Sequence, residues 1–215
     1  MPEKTEIEDV KKWLVEGKDE PETFVDLKWV VMEEDTRNGR TFSIRFTHPS
    51  VPVNLLVLDM EVLDENAKIL RLVVETGIKT IDLDRDDKLR LYRYLLEGSK
   101  MPLAKFYLFG DEDEIGIAVD LDKRMLTKEE LDLHLAAMLM GYSMLAELES
   151  LKNQVLAEQA SVLMALVAKW MEKGVPREKV LERLIGAGMD REMAEKLVDT
   201  VYGAMHRISR ETLYM

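Results

Sequence analysis

The chain has no cysteine among its 215 residues. Disulfide bonds, thiolate metal sites and a cysteine nucleophile are therefore excluded, and the absence fits a reducing compartment. Amide side chains are scarce as well, with two Gln and four Asn beside 30 Lys and Arg and 42 Asp and Glu. Few thermolabile residues beside abundant charge are typical of thermophile proteins, so this pattern predicts habitat and not function.

Long apolar runs are also missing. The most apolar window, Val162–Val167, is followed by Lys169 and falls far short of the roughly 18 residues that cross a bilayer. The first residues, Met1–Glu6, contain no apolar region of the kind that a secretory signal needs. We therefore expect a soluble cytoplasmic protein with no membrane partner.

Positive charge is in short supply overall, since the net charge is −12 and the isoelectric point lies near 4.9. Residues 151–215 carry a net charge of +1, so the acidity belongs to residues 1–150, with −13. Nucleic acids and anionic membranes attract positive surfaces, so we expect no direct nucleic-acid partner. The acidic portion leaves open a regulator that binds a basic nucleic-acid-binding protein.

The hydrophobic period of the sequence changes near residue 126. Short alternating runs dominate before it, and helical spacing dominates after it. We predict an α+β protein in which residues 1–125 form an antiparallel sheet flanked by helices. Residues 126–215 form an all-helical region with a long helix or helix pair over 127–173 and a helical hairpin over 176–206.

The first portion is predicted to contain three hairpins and two helices. The first helix runs from Lys4 to Glu16, and the second, Asp87–Leu96, carries Leu89, Tyr92 and Leu96 as its apolar side. Asn38-Gly39 supplies the positive φ angles that a hairpin turn favours. The predicted strand pairs are Val25–Val31 with Phe42–Phe46, Val53–Leu63 with Ile69–Glu75, and Leu103–Phe109 with Ile115–Leu121. Residues 69–74 also fit a helix.

The second portion opens with a clear helix start, in which Thr127 is the N-cap and Glu130 completes a capping box. A helical pattern then continues to Lys173. A helix of that length is too long for a domain of this size, so it either bends near Lys152-Asn153 or projects and packs against a partner. An approximate heptad seam predicts a homodimer, and the candidate interchain or interdomain contacts are Leu148, Leu151, Val155, Val162, Leu166 and Trp170.

Templates for catalysis and cofactor binding are absent from the sequence. It has no glycine-rich dinucleotide or phosphate loop, no zinc-protease helix motif and no nucleophile elbow. The acidic run Asp82–Asp87 opens like a calcium loop but lacks the turn glycine and the final bidentate carboxylate. We therefore predict no catalytic, cofactor-binding or metal site, with a metal-dependent hydrolase using Asp59 and Glu61 as the remaining enzymatic alternative.

Methionine is abundant in the helical half, where nine of the 14 methionines lie, eight of them between residues 138 and 205. Flexible thioether side chains fill cores, and they also suit surfaces that accept more than one partner. Both interpretations remain open from the sequence.

The order helix, antiparallel strands, helix, hairpin, helix resembles the YbjN family and the wider type III secretion chaperone-like fold. The resemblance is carried by Leu89–Leu96, Lys105–Leu108, the Gly110–Glu114 turn, Ile115–Leu121 and Leu126–Leu131. It implies an α+β domain without catalytic residues that dimerises and binds other proteins. The expected function is therefore a protein-interaction module, chaperone-like or adaptor-like, whose protein partner is unidentified.

Overall fold

The computed structural model describes residues 5–98, 100 and 103–212, with side chains described as far as residue 205. A sheet in the first portion and a set of helices in the second confirm the α+β prediction. The elements are α1 (Ile7–Glu16), β1 (Val30–Arg37), β2 (Arg40–His48), β3 (Val51–Asp59), α2 (Met60–Leu63), β4 (Ile69–Lys79), α3 (Arg85–Gly98), β5 (Lys105–Phe109), β6 (Glu114–Asp122), α4 (Lys128–Ala146), α5 (Lys152–Glu172), α6 (Arg177–Gly186) and α7 (Arg191–Thr212).

The six strands form one antiparallel sheet in the order β1-β2-β3-β4-β6-β5. All three predicted hairpins are present, and residues 69–74 belong to a strand and not to a helix. Asn38 and Gly39 both have positive φ, at 51° and 79°, as a tight hairpin turn requires. The chain returns through α3 after β4, so β6 pairs with β4, while β5 and β1 form the two edges of the sheet.

The main core lies on one face of the sheet beneath α1, α3 and α4. Alternate strand residues such as Ile44, Leu55, Leu72 and Ile117 are fully buried there. The predicted apolar stripe of α1, made of Ile7, Val10 and Leu14, is buried against the same core. The helix begins at Ile7, and the predicted start at Lys4 lies outside the described residues.

A second, smaller core joins α5, α6 and α7. Leu166, Trp170 and Leu184 are among its buried residues, and Val30 and Met32 of β1 pack against it. The helical hairpin predicted over 176–206 is present, although its second helix continues to residue 212. These contacts attach the C-terminal helices to the sheet at β1.

The predicted boundary at residue 125 does not separate the two cores. Leu131 and Leu135 of α4 belong to the main core, as do Leu151 and Val155 at the start of α5. The main core therefore extends to about the first turn of α5, and the second core begins at Leu166.

The segment predicted as a long helix or a helix pair over 127–173 is a helix pair, with a break between Ala146 and Lys152. No glycine or proline lies in the break. Leu148 packs against the main core and Leu151 is fully buried in it. The chain therefore turns because burying both leucines is more favourable than continuing the helix.

Three sequence predictions were wrong in detail. The strand predicted over Val53–Leu63 ends at Asp59, since Met60–Leu63 form the short helix α2. The strand predicted over Val25–Val31 begins only at Val30. Val25 and Trp29 are buried, but they belong to an irregular turn segment and not to a strand. The apolar side predicted for α3 is largely exposed, since Leu89 and Leu96 face away from the core. The buried side of that helix is instead formed by its residues 91, 95 and 98.

Candidate functional site: an open groove on the sheet

The face of the sheet opposite the main core is covered only at one end. There α5 contacts β1, β3 and β4, and the Gln154 side chain accepts a hydrogen bond from the backbone of Lys79 at 3.1 Å. Further along the strands lies an open groove of about 840 Å³. Among the described residues that line it, His134 is the only one supplied by a helix. This half of the sheet face is therefore available to another molecule.

Apolar side chains from three neighbouring strands form the floor of the groove. Leu56 of β3 is in register with Val73 of β4, which is in register with Ala118 of β6, and Leu58 lies beside them. Only one face of an antiparallel sheet normally needs apolar residues, because the other usually contacts water. Leu56, Leu58 and Ala118 are half-buried and Val73 is buried between its neighbours, and no helix of the described part of the chain lies over them. A second apolar face without a covering element indicates a surface for another apolar group.

Two ion pairs border this floor, and Lys105 of β5 also lines the groove. Arg71 forms a two-bonded ion pair with Asp120, with N–O distances of 2.6 and 2.9 Å. Arg45 binds Glu75 at 3.0 Å and also contacts Glu33. These two ion pairs therefore give this part of the rim charges of both signs that neutralise each other.

Tyr107 of β5 closes one side of the groove by lying across Gly116 of β6. A Cβ atom at Gly116 would come within 2.4 Å of the Tyr107 ring, so only glycine leaves room for the ring. Phe109 continues the aromatic wall, with its ring centre 5.4 Å from that of Tyr107. Burial, together with the nearby carboxylate of Glu75, raises the pKa of Tyr107, so its hydroxyl stays protonated at neutral pH.

Three carboxylates meet where the groove approaches α5. Burial raises the pKa of Glu114, and repulsion from Glu75 adds to the effect, although a hydrogen bond from Gly77 N–H opposes it. Burial likewise raises the pKa of Glu158 of α5, with further contributions from Glu114 and Glu75. This end of the groove therefore holds negative charge at a cost in free energy.

The residues predicted as a dimer surface do not form a surface. Leu151 and Val155 are buried in the main core, Leu166 and Trp170 in the second core, and Val162 is buried on α5 between them. Leu148 is partly buried against the main core. Their spacing reflects contacts within one chain, which corresponds to the interdomain alternative of the prediction.

Asp59 and Glu61, the candidate metal ligands, surround an ammonium group. Lys123 is fully buried, and its Nζ lies 2.9 and 3.0 Å from the two carboxylate oxygens of Asp59 and 2.9 Å from Glu61. Glu6 approaches the same Nζ at 3.4 Å. Burial lowers the pKa of Lys123, but the hydrogen bonds that it donates to Asp59 and Glu61 outweigh this effect, and the net pKa is raised. The carboxylates that a divalent cation would need are thus already engaged by Lys123.

The calcium-like run is a helix cap. The Asp84 carboxylate accepts hydrogen bonds from the backbone of Asp86 and Asp87, both at 2.9 Å, at the start of α3. Elsewhere in the described part of the chain, no three His, Cys, Asp or Glu side chains are grouped so that they could hold a metal ion. None of the described helices is both long enough and apolar enough to cross a membrane.

The fold and groove define this chain as an α+β protein with a single six-stranded sheet, half of whose second face is exposed. A family model described as a domain of unknown function, DUF8183, matches residues 9–148, and the chain belongs to that family. The matched region contains the whole sheet and ends just after α4, so α5 to α7 lie beyond it. No curated protein and no solved structure shows a significant match to the chain.

Sequence reasoning missed the groove although one signal for it was present. Residues 55–58 of β3, Leu-Leu-Val-Leu, are apolar at every position instead of at alternate ones. In an antiparallel strand such a run means that both faces are apolar. Leu56 and Leu58 are the members of that run that point away from the main core.

Proposed function

We propose that this protein is a non-enzymatic protein-interaction module, chaperone-like or adaptor-like, that binds an apolar segment of a partner protein in the groove. The observation that carries the proposal is the apolar floor of Leu56, Leu58, Val73 and Ala118 on a sheet face where water is expected. The resemblance to the YbjN and type III secretion chaperone-like folds supports the same class.

The chemistry of the partner follows from the rim of the groove. Because Arg71 and Asp120 neutralise each other, as do Arg45 and Glu75, these pairs present no excess charge to a strongly acidic or basic ligand. A segment with apolar side chains facing the floor and polar groups at its margins would match both the floor and the rim of the groove. The tyrosine and phenylalanine on β5 add flat apolar area at the wall, which is a common feature of interface centres.

The same surface is poorly suited to hydrolysis. The carboxylates of Glu75 and Asp120 are held in ion pairs with arginines, so neither is placed as a free general base. Tyr107 retains its proton because burial raises its pKa. We therefore place binding ahead of catalysis for this site.

The test is affinity capture from the source lysate at low and high salt, with three baits. The baits are the natural chain, Leu58→Asp in the groove, and Leu156→Asp as a matched control on α5, where Leu156 is 56% exposed. An apolar contact tolerates about 0.5 M NaCl, whereas a contact between net charges is screened at that concentration.

We expect the natural chain and Leu156→Asp to retain the same partner at high salt, and Leu58→Asp to lose it. A basic partner that all three baits release at high salt would overturn the proposal and favour the acidic regulator of a nucleic-acid-binding protein. Equal retention by all three baits at high salt would also overturn it, because the groove would then not be the binding surface.

A further inference from the structure

The two edges of the sheet are built differently. Strand β1 is interrupted by register shifts between Val31 and Glu33 and between Asp35 and Thr36. It also carries charged residues at positions 33, 34, 35 and 37, and bulges and charges of this kind prevent a sheet edge from pairing with another chain. Strand β5, Lys-Phe-Tyr-Leu-Phe, pairs with β6 in unbroken register and has one charged residue, Lys105.

Exposed leucines lie beside the β5 edge. Helix α3 packs over β5, with Gly98 close to the Phe106 ring, and Tyr94 on one side of the helix donates a hydrogen bond to α4. The side of α3 that faces away from the core carries Leu89 and Leu96, which are 58% and 72% exposed. Leu108 of β5 itself is 39% exposed.

The two ends of β5 have opposite charge. Lys105 opens the strand, is exposed and forms no ion pair with the described residues. The turn after Phe109 carries four consecutive acidic residues, of which Asp111 is exposed and also unpaired in the described part of the chain. An antiparallel neighbour with the same sequence would place its acidic end beside this lysine.

We propose that β5 pairs antiparallel with β5 of a second copy of this chain, about a twofold axis at Tyr107. In that register Lys105 lies opposite Phe109 of the second copy and diagonal to its Asp111, and the converse contact repeats by symmetry. Leu108 lies opposite Phe106 of the second copy, and the exposed leucines of the two α3 helices meet on the core side. The charge complementarity of the strand with itself selects a second copy over an unrelated peptide.

The pairing has a consequence for the groove. A twofold axis perpendicular to a continuous sheet places the same face of both copies on one side. Tyr107 and Phe109 line the groove as well as the edge, so the two grooves would lie next to each other across the axis. This inference goes beyond the proposed function, and it assigns a surface to the homodimer that the sequence analysis expects.

The experiment is a charge exchange, read by sedimentation velocity over a dilution series of the purified full chain. Lys105→Glu and Asp111→Lys each place like charges together at two symmetric contacts. Each variant alone should therefore dimerise about ten-fold more weakly than the natural chain. In an equal mixture the two variants should recover the natural affinity as a heterodimer, because both contacts are then of opposite sign.

Leu96→Glu tests the apolar part of the same interface, with Met193→Glu on α7 as a control of similar exposure at 65%. We expect the first to weaken the dimer and the second to leave it unchanged. A natural chain that stays monomeric at every concentration would overturn both the homodimer and the edge assignment. A dimer unaffected by Lys105→Glu, Asp111→Lys and Leu96→Glu would overturn the edge assignment alone.

Discussion

Replacing Lys123 by Met should destabilise the fold strongly, because it removes the ammonium group that pairs with the buried carboxylate of Asp59. Lys123 Nζ lies within 3.0 Å of both oxygens of Asp59 and 2.9 Å from Glu61. The Asp59 side chain is itself only 5% exposed, so the variant would leave a buried charge with no counter-ion. Removal of one partner from a buried ion pair costs about 3–5 kcal/mol.

That loss is large enough to measure by thermal or urea unfolding followed by circular dichroism. For a chain of this length, about 4 kcal/mol corresponds to a fall in Tm of roughly 10 °C. Lys68→Met is the matched control, because Lys68 also binds Glu61, at 2.6 Å, but its side chain is 38% exposed. An exposed ion pair contributes about 1 kcal/mol or less, so the control should lose little.

A double variant isolates the charge effect from the loss of packing. Adding Asp59→Asn to Lys123→Met removes the uncompensated charge, so the double variant should recover part of the lost stability. The reasoning is refuted if Lys123→Met costs no more than Lys68→Met. It is also refuted if Mg²⁺ or Mn²⁺ stabilises the natural chain in a way that Asp59→Ala abolishes, because a cation and not Lys123 would then be the natural counter-charge.

Three further predictions concern pH and packing. Burial lowers the pKa of His48 to about 4 in the folded chain, so between pH 6.5 and 4 the unfolded chain binds a proton that the folded chain does not. The free energy of unfolding should therefore fall by up to about 3 kcal/mol over that range, and His48→Gln should flatten this part of its pH dependence. Burial raises the pKa of Glu158, so Glu158→Gln should stabilise the fold at pH 7. Glu147→Gln, at an exposed position, should not. Urea-unfolding midpoints that are equal for Glu158→Gln and the natural chain would contradict this. Gly116→Ala should lower the free energy of unfolding by about 1–3 kcal/mol, because the new methyl group displaces the ring of Tyr107. The same change in a Tyr107→Ala chain should lower it by less, and urea denaturation of the natural chain, the two single variants and the double variant tests this.

The hairpins could be predicted from sequence because their signals are local. Asn38-Gly39 permits few conformations other than a tight turn, and alternation in Phe42–Phe46 requires one buried face. The same alternation in Val25–Val31 predicted a strand that is absent before Val30. Val25 and Trp29 are buried because the turn segment that contains them packs on the core. An apolar period of two indicates burial at alternate positions. It does not show whether the backbone at those positions is a strand or an irregular segment.

The apolar side predicted for α3 was wrong for a related reason. Helix α3 has apolar residues on two sides, and the sequence does not say which side meets the sheet; Leu91 and Leu95 do, while Leu89 and Leu96 do not. The heptad-like spacing that includes Leu151 and Leu166 likewise records burial, but in two different cores of one chain. Spacing identifies which residues are buried and leaves open what buries them.

The groove could be inferred from sequence only in part. An uninterrupted apolar run in β3 indicates that both faces of that strand are apolar, but the strand order decides which residues join it. Val73 and Ala118 reach the same floor because β6 pairs with β4 after the chain returns through α3. The pairing of Arg71 with Asp120, 49 residues away, depends on the same long-range register.

The central claim, that the open half of the sheet face binds a partner protein, is tested most directly by photo-crosslinking in the source cells. A benzophenone side chain would replace Leu58 on the groove floor or, as the control, Leu156 on the exposed side of α5. Position 58 should give a discrete crosslinked protein that position 156 does not give. A crosslink of equal yield at both positions, or one at position 156 alone, would contradict the assignment of the groove as the binding site.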